Sequence, residues 1–216
     1  MQTFVKHTGY KSYKGGKQAK GLKSIKSHIK YMENRKNEQG ERENRELFTK
    51  DGTTTRKEFY ELLNKQEQRG VIAHKLVISM DRKDYEAQKI DIKELTRDTM
   101  SAYEAKTGRS LKWIATFHNK ESNPHVHIVV AGRDEQGKEV TFMKPQLNNL
   151  KRIADKERQA QQERNAERGL EPARDFDPMQ QLAHERDMEQ TLSKDKELTR
   201  DITKSRDREM IRDLER

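Results

Sequence analysis

The chain of 216 residues contains no cysteine, so it forms no disulfide and offers no thiolate to a metal. That absence fits a reducing compartment, and any metal must be held by histidine or carboxylate. Nor is there an apolar run near the roughly 20 residues that span a bilayer. The N-terminal stretch MQTFVKHTGYKSYKGGK lacks an apolar signal core. A cytoplasmic protein without a membrane segment is expected. Hydrophobic residues are scarce as well, at 30%, against 38% charged. This is too polar for the whole chain to pack into one globule. One domain over residues 1–168 is predicted, followed by a charged extension, 169–216, that is helical or disordered.

Charge of one sign is concentrated. Residues 1–50 hold 13 Lys/Arg against 5 Asp/Glu, net +8. Residues 51–150 hold 17 against 15, and residues 151–216 hold 16 against 17. Almost the entire excess of +9 therefore lies in the first fifty residues. Such a segment is either a solubilising surface or the footprint of a polyanion. Lys11, Lys14, Lys17, Lys20, Lys23 and Lys26 are the candidate phosphate contacts. Tyr10 and Tyr13, set among them in a Gly/Lys-rich stretch, suit stacking on bases.

The chain is organised around KWIATFHNKESNPHVHIVVA, residues 112–131. Two short runs, 112–117 and 126–131, flank a polar loop with Pro124, which predicts a hairpin. Alternation puts Trp113, Ala115 and Phe117 on one face with Val126, Ile128 and Val130. His118 then lies opposite His125, and directly opposed residues point the same way. His118, His125 and His127 should converge on the face away from the core. One strand histidine is ordinarily a packed or exposed side chain, and a His-x-His pair is weak evidence. The third imidazole across the hairpin makes a facial metal site.

Leu22, Ile25, Ile29 and Met32 follow helical spacing and predict a helix over about 21–35. Tyr31 points off that stripe, on a side shared with Ser24, Ser27, His28 and Arg35. VIAHKLVISM, residues 71–80, is apolar on both faces and reads as a central strand, with His74 as a packing residue. Ser79 near its end could bond DNA or simply be satisfied. Helices are expected over 54–68, 84–106 and 146–168, and a further strand over 138–143. The resulting fold class is α+β, an antiparallel sheet of about five strands with helices packed on the Trp113 face.

Three stretches resemble one family. HNKESNPHVHIVVAG is similar to the third motif of conjugative and mobilisation relaxases, the HUH-type single-strand DNA nickases. PHVHIVVAGRDEQGKEV resembles the T-DNA border nickase class. IKSHIKYMENR resembles the first motif, in which a tyrosine is the nucleophile, and HKLVISM the second, whose serine contacts DNA beside the nick. The resemblance implies a palm-like sheet and metal-assisted transesterification of one strand at an origin of transfer. A 5′-phosphotyrosyl intermediate and a free 3′-OH would result. It makes Tyr31 the nucleophile, with Arg35 in the matching basic position, and gives Ser79 a DNA contact. His118, His125 and His127 become ligands of a divalent ion, Mn or Mg in use, with Zn or Ni also accepted.

Glu121, inside the loop, would orient a ligand or move a proton, or is an exposed loop acid. Single-stranded DNA is the implied partner, together with accessory relaxosome proteins and a coupling protein. Other readings stay open. In a rolling-circle replication initiator the tyrosine usually follows the histidine motif, and no tyrosine follows Tyr103. His28 or His7 could be the nucleophile in place of tyrosine. A non-catalytic, metal-stabilised DNA-binding protein would use the same sheet.

Overall fold

The structure, a computed structural model, describes residues 3–13, 18–36, 40, 44–66, 69–120 and 123–169. Lys14, Lys17, Glu121 and residues 170–216 of the expected extension lie outside them. The chain divides into two compact units, Met1–Pro172 and Ala173–Arg216, and every described residue belongs to the first.

Alternating apolar runs form strands, and strands with two apolar faces are driven to the middle of a sheet. β4 (Val71–Ser79) and β6 (His125–Ala131) pair antiparallel at the centre. β1 (Phe4–Ser12) flanks β4, and β5 (Trp113–His118) flanks β6. A short hairpin, β2 (Leu47–Thr49) and β3 (Gly52–Thr54), extends the sheet beyond β5. The order is β1-β4-β6-β5-β2-β3, an α+β fold on a six-stranded antiparallel sheet. The expected further strand at 138–143 is absent; only an isolated bridge, Arg133 to Glu139, forms there. Val140 and Phe142 still point into the core, which produces the alternation without a partner strand.

Helices cover both faces, not one. Trp113, Ala115, Val126, Ile128 and Val130 form one face, closed by α4 (Ile92–Thr107) and α5 (Lys144–Glu167) through Leu95, Met100, Leu150 and Ile153. Ile114, Val129, Ala131 and Ala73 form the other, closed by α1 (Gln18–Glu33) and α2 (Arg56–Lys65). Ile25, Ile29 and Met32 of α1 are fully buried there. Truncating such a residue costs about 2–5 kcal/mol, so α1 is fixed on the sheet.

The helix expected over 84–106 is two. α3 (Arg82–Ala87) ends, Lys89 turns through φ 49°, and Asp91 caps α4 by accepting from the amides of Lys93 and Glu94. β1 also takes in the start of the Gly/Lys-rich stretch that holds Tyr10. An extra residue at Thr8 and a φ of 131° at Gly9 bulge the strand between His7 and Gly9. The bulge reverses its alternation, so His7 and Tyr10 stack on the α4/α5 face, 6.3 Å apart and 4° from parallel.

Candidate metal centre

The hairpin register decides what the histidines can do. His118 pairs directly with His125, and His127 pairs with Thr116, so the three side chains leave the sheet on the α1 side. Ring centroids are 5.3 Å apart for His118–His125, 4.7 Å for His118–His127 and 4.9 Å for His125–His127. One ring nitrogen from each lies within 4.8 Å of the others. The expectation that these side chains lie away from a core needs correction. They share their face with a second apolar cluster, and α1 leaves His118 only 2% exposed.

The other ring nitrogens are fixed by backbone carbonyls. His118 Nε2–H donates to the Met32 carbonyl at 3.0 Å, which leaves Nδ1 as the lone-pair nitrogen. His125 Nδ1–H donates to the Asn123 carbonyl at 2.8 Å, which leaves Nε2. Such partners set tautomer and ring orientation in metal sites. His118 Nδ1 and His127 Nε2 are buried and meet no protein partner. Burial lowers the pKa of His118 to about 4, aided mainly by nearby arginines, and that of His127 to about 3, aided mainly by the neighbouring imidazoles. Burial also lowers that of His125. At neutral pH the three imidazoles therefore hold unprotonated nitrogens facing one another.

α1 brings further groups. The His28 ring meets His127 edge-on at 6.3 Å, and burial with the nearby Lys75 ammonium lowers its pKa to about 4. Tyr31, one turn on, is 53% exposed, and the Arg35 guanidinium lies 5.7 Å from its ring centre. Ser79 is the direct β4 partner of His125, on the same face. The sequence-predicted Tyr31, Arg35, Ser79 and three histidines thus gather on one side of the molecule.

The predicted lysines divide. At about 100° per residue, Lys20 shares the flank of α1 that carries Tyr31, and Lys23 sits beside it. Lys26 lies on the opposite flank, where its ammonium donates to Asn64 Oδ1 at 2.8 Å and sits 5.4 Å from the Tyr60 ring centre. Lys11 pairs with Ala73, on the α1 face but at the far end of the strands from His125. Tyr10 is on the other face, and Tyr13 packs partly buried against the second apolar cluster. Sequence reasoning missed Lys75. Its signal was present: it is the one charged residue of β4 and has the parity of Ser79.

Residues 31–163 match the family described as "Relaxase: MobA/VirD2-like, nuclease domain". The chain belongs to this relaxase family. The matched stretch opens at Tyr31 and contains Ser79 and all three histidines. Membership makes the relaxase a DNA-nicking nuclease domain. Two solved structures are similar to it. The MobM relaxase domain (MOBV; Mob_Pre), bound to a 26-nucleotide pMV158 oriT DNA, is 16% identical, with a TM-score of 0.43 over 72% of this chain and 87% of that one. A chain from work on vancomycin resistance transfer in Staphylococcus aureus is 13% identical, with a TM-score of 0.45 over 76% and 94%. No curated protein matches the chain.

The residues present fit a divalent ion. Three neutral nitrogens converge, two of them are buried without a partner, and two rings are oriented through their remote N–H. Imidazole ligands suit Zn or Ni, whereas Mg and Mn favour oxygen ligands, so the three histidines by themselves do not select one divalent ion. Among the described residues no helix is long and apolar enough to cross a membrane.

Proposed function

We propose that the relaxase cleaves one DNA strand at an origin of transfer by transesterification, with Tyr31 as nucleophile. The observation that carries this reading is the pair of partnerless buried nitrogens, on His118 and His127, beside a helix that presents an exposed tyrosine. His118, His125 and His127 would hold the ion, which supplies charge neutralisation at the non-bridging oxygens of the scissile phosphate.

The chain's own residues do the rest. A phenol with an ordinary pKa near about 10 needs a base or a cation to attack at neutral pH. His28 precedes Tyr31 by three residues, so the two side chains are neighbours on the helix. Its depressed pKa keeps it neutral, so its ring can accept a hydrogen bond from the phenol as the proton leaves. Arg35, above the Tyr31 ring, stabilises the phenolate. A bond forms from the Tyr31 oxygen to phosphorus, the bond from phosphorus to the 3′-oxygen breaks, and that oxygen takes a proton from solvent. The ester retained on Tyr31 allows the reverse attack. Ser79, across from His125, hydrogen-bonds the strand beside the nick. Lys20, Lys23 and Lys75 line its path.

The position of His28 favours one other nucleophile, His28 itself, because its ring abuts His127. Digesting the protein–oligonucleotide adduct and sequencing the modified peptide separates the two. The phosphodiester is expected on Tyr31, and Tyr31→Phe should bind DNA normally and form no adduct. An adduct on His28, or on another tyrosine, would overturn the assignment of Tyr31.

A further inference from the structure

Among the described residues, nothing packs over one part of the α1 face of the sheet. Where β1, β4 and β6 lie side by side, their registers define rows across the face. Phe4 pairs with Ser79, which pairs with His125. Lys6 pairs with Val77, which pairs with His127. Phe4 and Lys6 are exposed, and Val77 and Ser79 are half-buried. The result is a shallow floor that begins at the histidines and ends at an exposed aromatic ring.

Phe4 is 55% exposed, the most exposed phenylalanine of the sheet. An isolated surface Phe is ordinary. This one differs by its position, in one row with Ser79 and His125 and with Lys6 two residues along the same face. Two strand spacings separate it from β6, roughly 10 Å. It therefore lies beside the three imidazoles and not over them. A flat ring next to an ammonium is what a single strand needs, since every base has a face to stack and every nucleotide a phosphate to pair. The sequence had pointed to Tyr10 for this role, but the bulge at Gly9 turns Tyr10 to the opposite face of the sheet. Phe4 and Lys6 also lie outside the stretch that matches the relaxase family.

We infer that Phe4 is a base-stacking platform for the single strand next to the scissile phosphate, with Lys6 pairing the adjoining phosphate. The inference rests on the proposed function, because it assumes that single-stranded DNA occupies this face. It names positioning residues for the substrate, not further reacting groups.

The test compares two probes in the absence of divalent ions: labelled oligothymidylate and an abasic single strand of the same length. Phe4→Ala should weaken oligothymidylate binding roughly 5- to 150-fold, the loss that follows removal of one stacked base. It should leave the abasic strand unaffected, and Phe4→Trp should restore affinity. Lys6→Ala should weaken both probes equally and lower the salt slope of binding by about 0.7. Phe4→Ala acting on both strands alike, or on neither, overturns the stacking role. If adduct formation on Tyr31 survives in that variant, the proposed function stands without it. Failure of the wild-type chain to bind either strand would sink both.

Discussion

Two groups of histidines sit on opposite faces of one sheet, and they differ in a single respect. On the α4/α5 face, His74 Nδ1 lies 3.2 Å from His7 Nε2, and His74 Nε2 lies 2.9 Å from the Val140 carbonyl. Both nitrogens of the buried ring are engaged. On the α1 face, His118 and His127 each keep a buried nitrogen with no protein partner. Burial lowers the pKa in both groups, so titration does not tell them apart. What does is where each buried hydrogen-bonding group ends. A partnerless nitrogen at that depth costs about 1–3 kcal/mol unless something binds it. His74 closes the core over Phe142 and Val140, whereas the triad has the nitrogens that the proposed function would give to an ion.

The largest expected effect breaks this contrast directly. His127→Ala should abolish divalent-ion binding, read by calorimetry with Mn, and lower single-strand cleavage by more than the roughly 10–100-fold that follows loss of an outer partner. The circular dichroism spectrum should be unchanged. His74→Ala should leave ion binding intact, destabilising the fold by about 2 kcal/mol through the carbonyl left without a donor. Ion binding lost in His74→Ala, or kept in His127→Ala, would assign the two groups the wrong way round.

Acid should then act on both groups at once. His7, His28, His74, His118, His125 and His127 all have folded-state pKa values below 6.5. Below about 6.5 the unfolded chain therefore binds more protons than the folded one, and stability falls as pH falls. The window runs from 6.5 to about 4 for His28 and His118 and to about 3 for His127. His28, His118 and His127 each add at most about 1.4 kcal/mol per pH unit within it, and less where solvent screens the ring. Denaturant melts between pH 7 and pH 4 measure the slope. Excess Mn at pH 7 should raise the unfolding free energy by about 2.7 kcal/mol at a hundredfold excess over Kd, and should not do so in His127→Ala.

The triad was legible because a hairpin of period two admits few registers. Once Trp113, Ala115 and Phe117 face the core with Val126, Ile128 and Val130, His118 has to oppose His125. The α1 stripe was legible for the same reason at helical period, and it left Tyr31 outward. The reading failed where backbone irregularity intervenes. The bulge at Gly9 inverts the second half of β1, and no residue pattern announces which way an inverted strand will face. Val140 and Phe142 alternate like a strand, yet the Val140 amide bonds Gly132 and its carbonyl meets His74. The second covered face was hidden because β5 and β6 seemed to offer only histidines there. Ile114, Val129 and Ala131 at the other end of the same strands are what α1 and α2 bury.

The smallest expected effect concerns the lysines, and it sharpens the same lesson on α1. Counting charges in the first fifty residues makes Lys20, Lys23 and Lys26 equivalent. The helix separates them, because Lys26 lies on the flank that meets α2 and already donates to Asn64. Lys75, from a strand with little net charge around it, stands beside His28 on the α1 face. A cation that pairs one phosphate releases counterions and adds about 0.7 to the slope of log K against log salt for a single strand. Lys75→Ala should remove about that much, and Lys20→Ala a comparable amount. Lys26→Ala should leave the slope unchanged and weaken only the contact between α1 and α2. Anisotropy titrations of a labelled single strand, from low to physiological salt, resolve a difference of this size. A full loss of slope in Lys26→Ala, with none in Lys75→Ala, would move the DNA path to the α2 side of the helix, away from Tyr31.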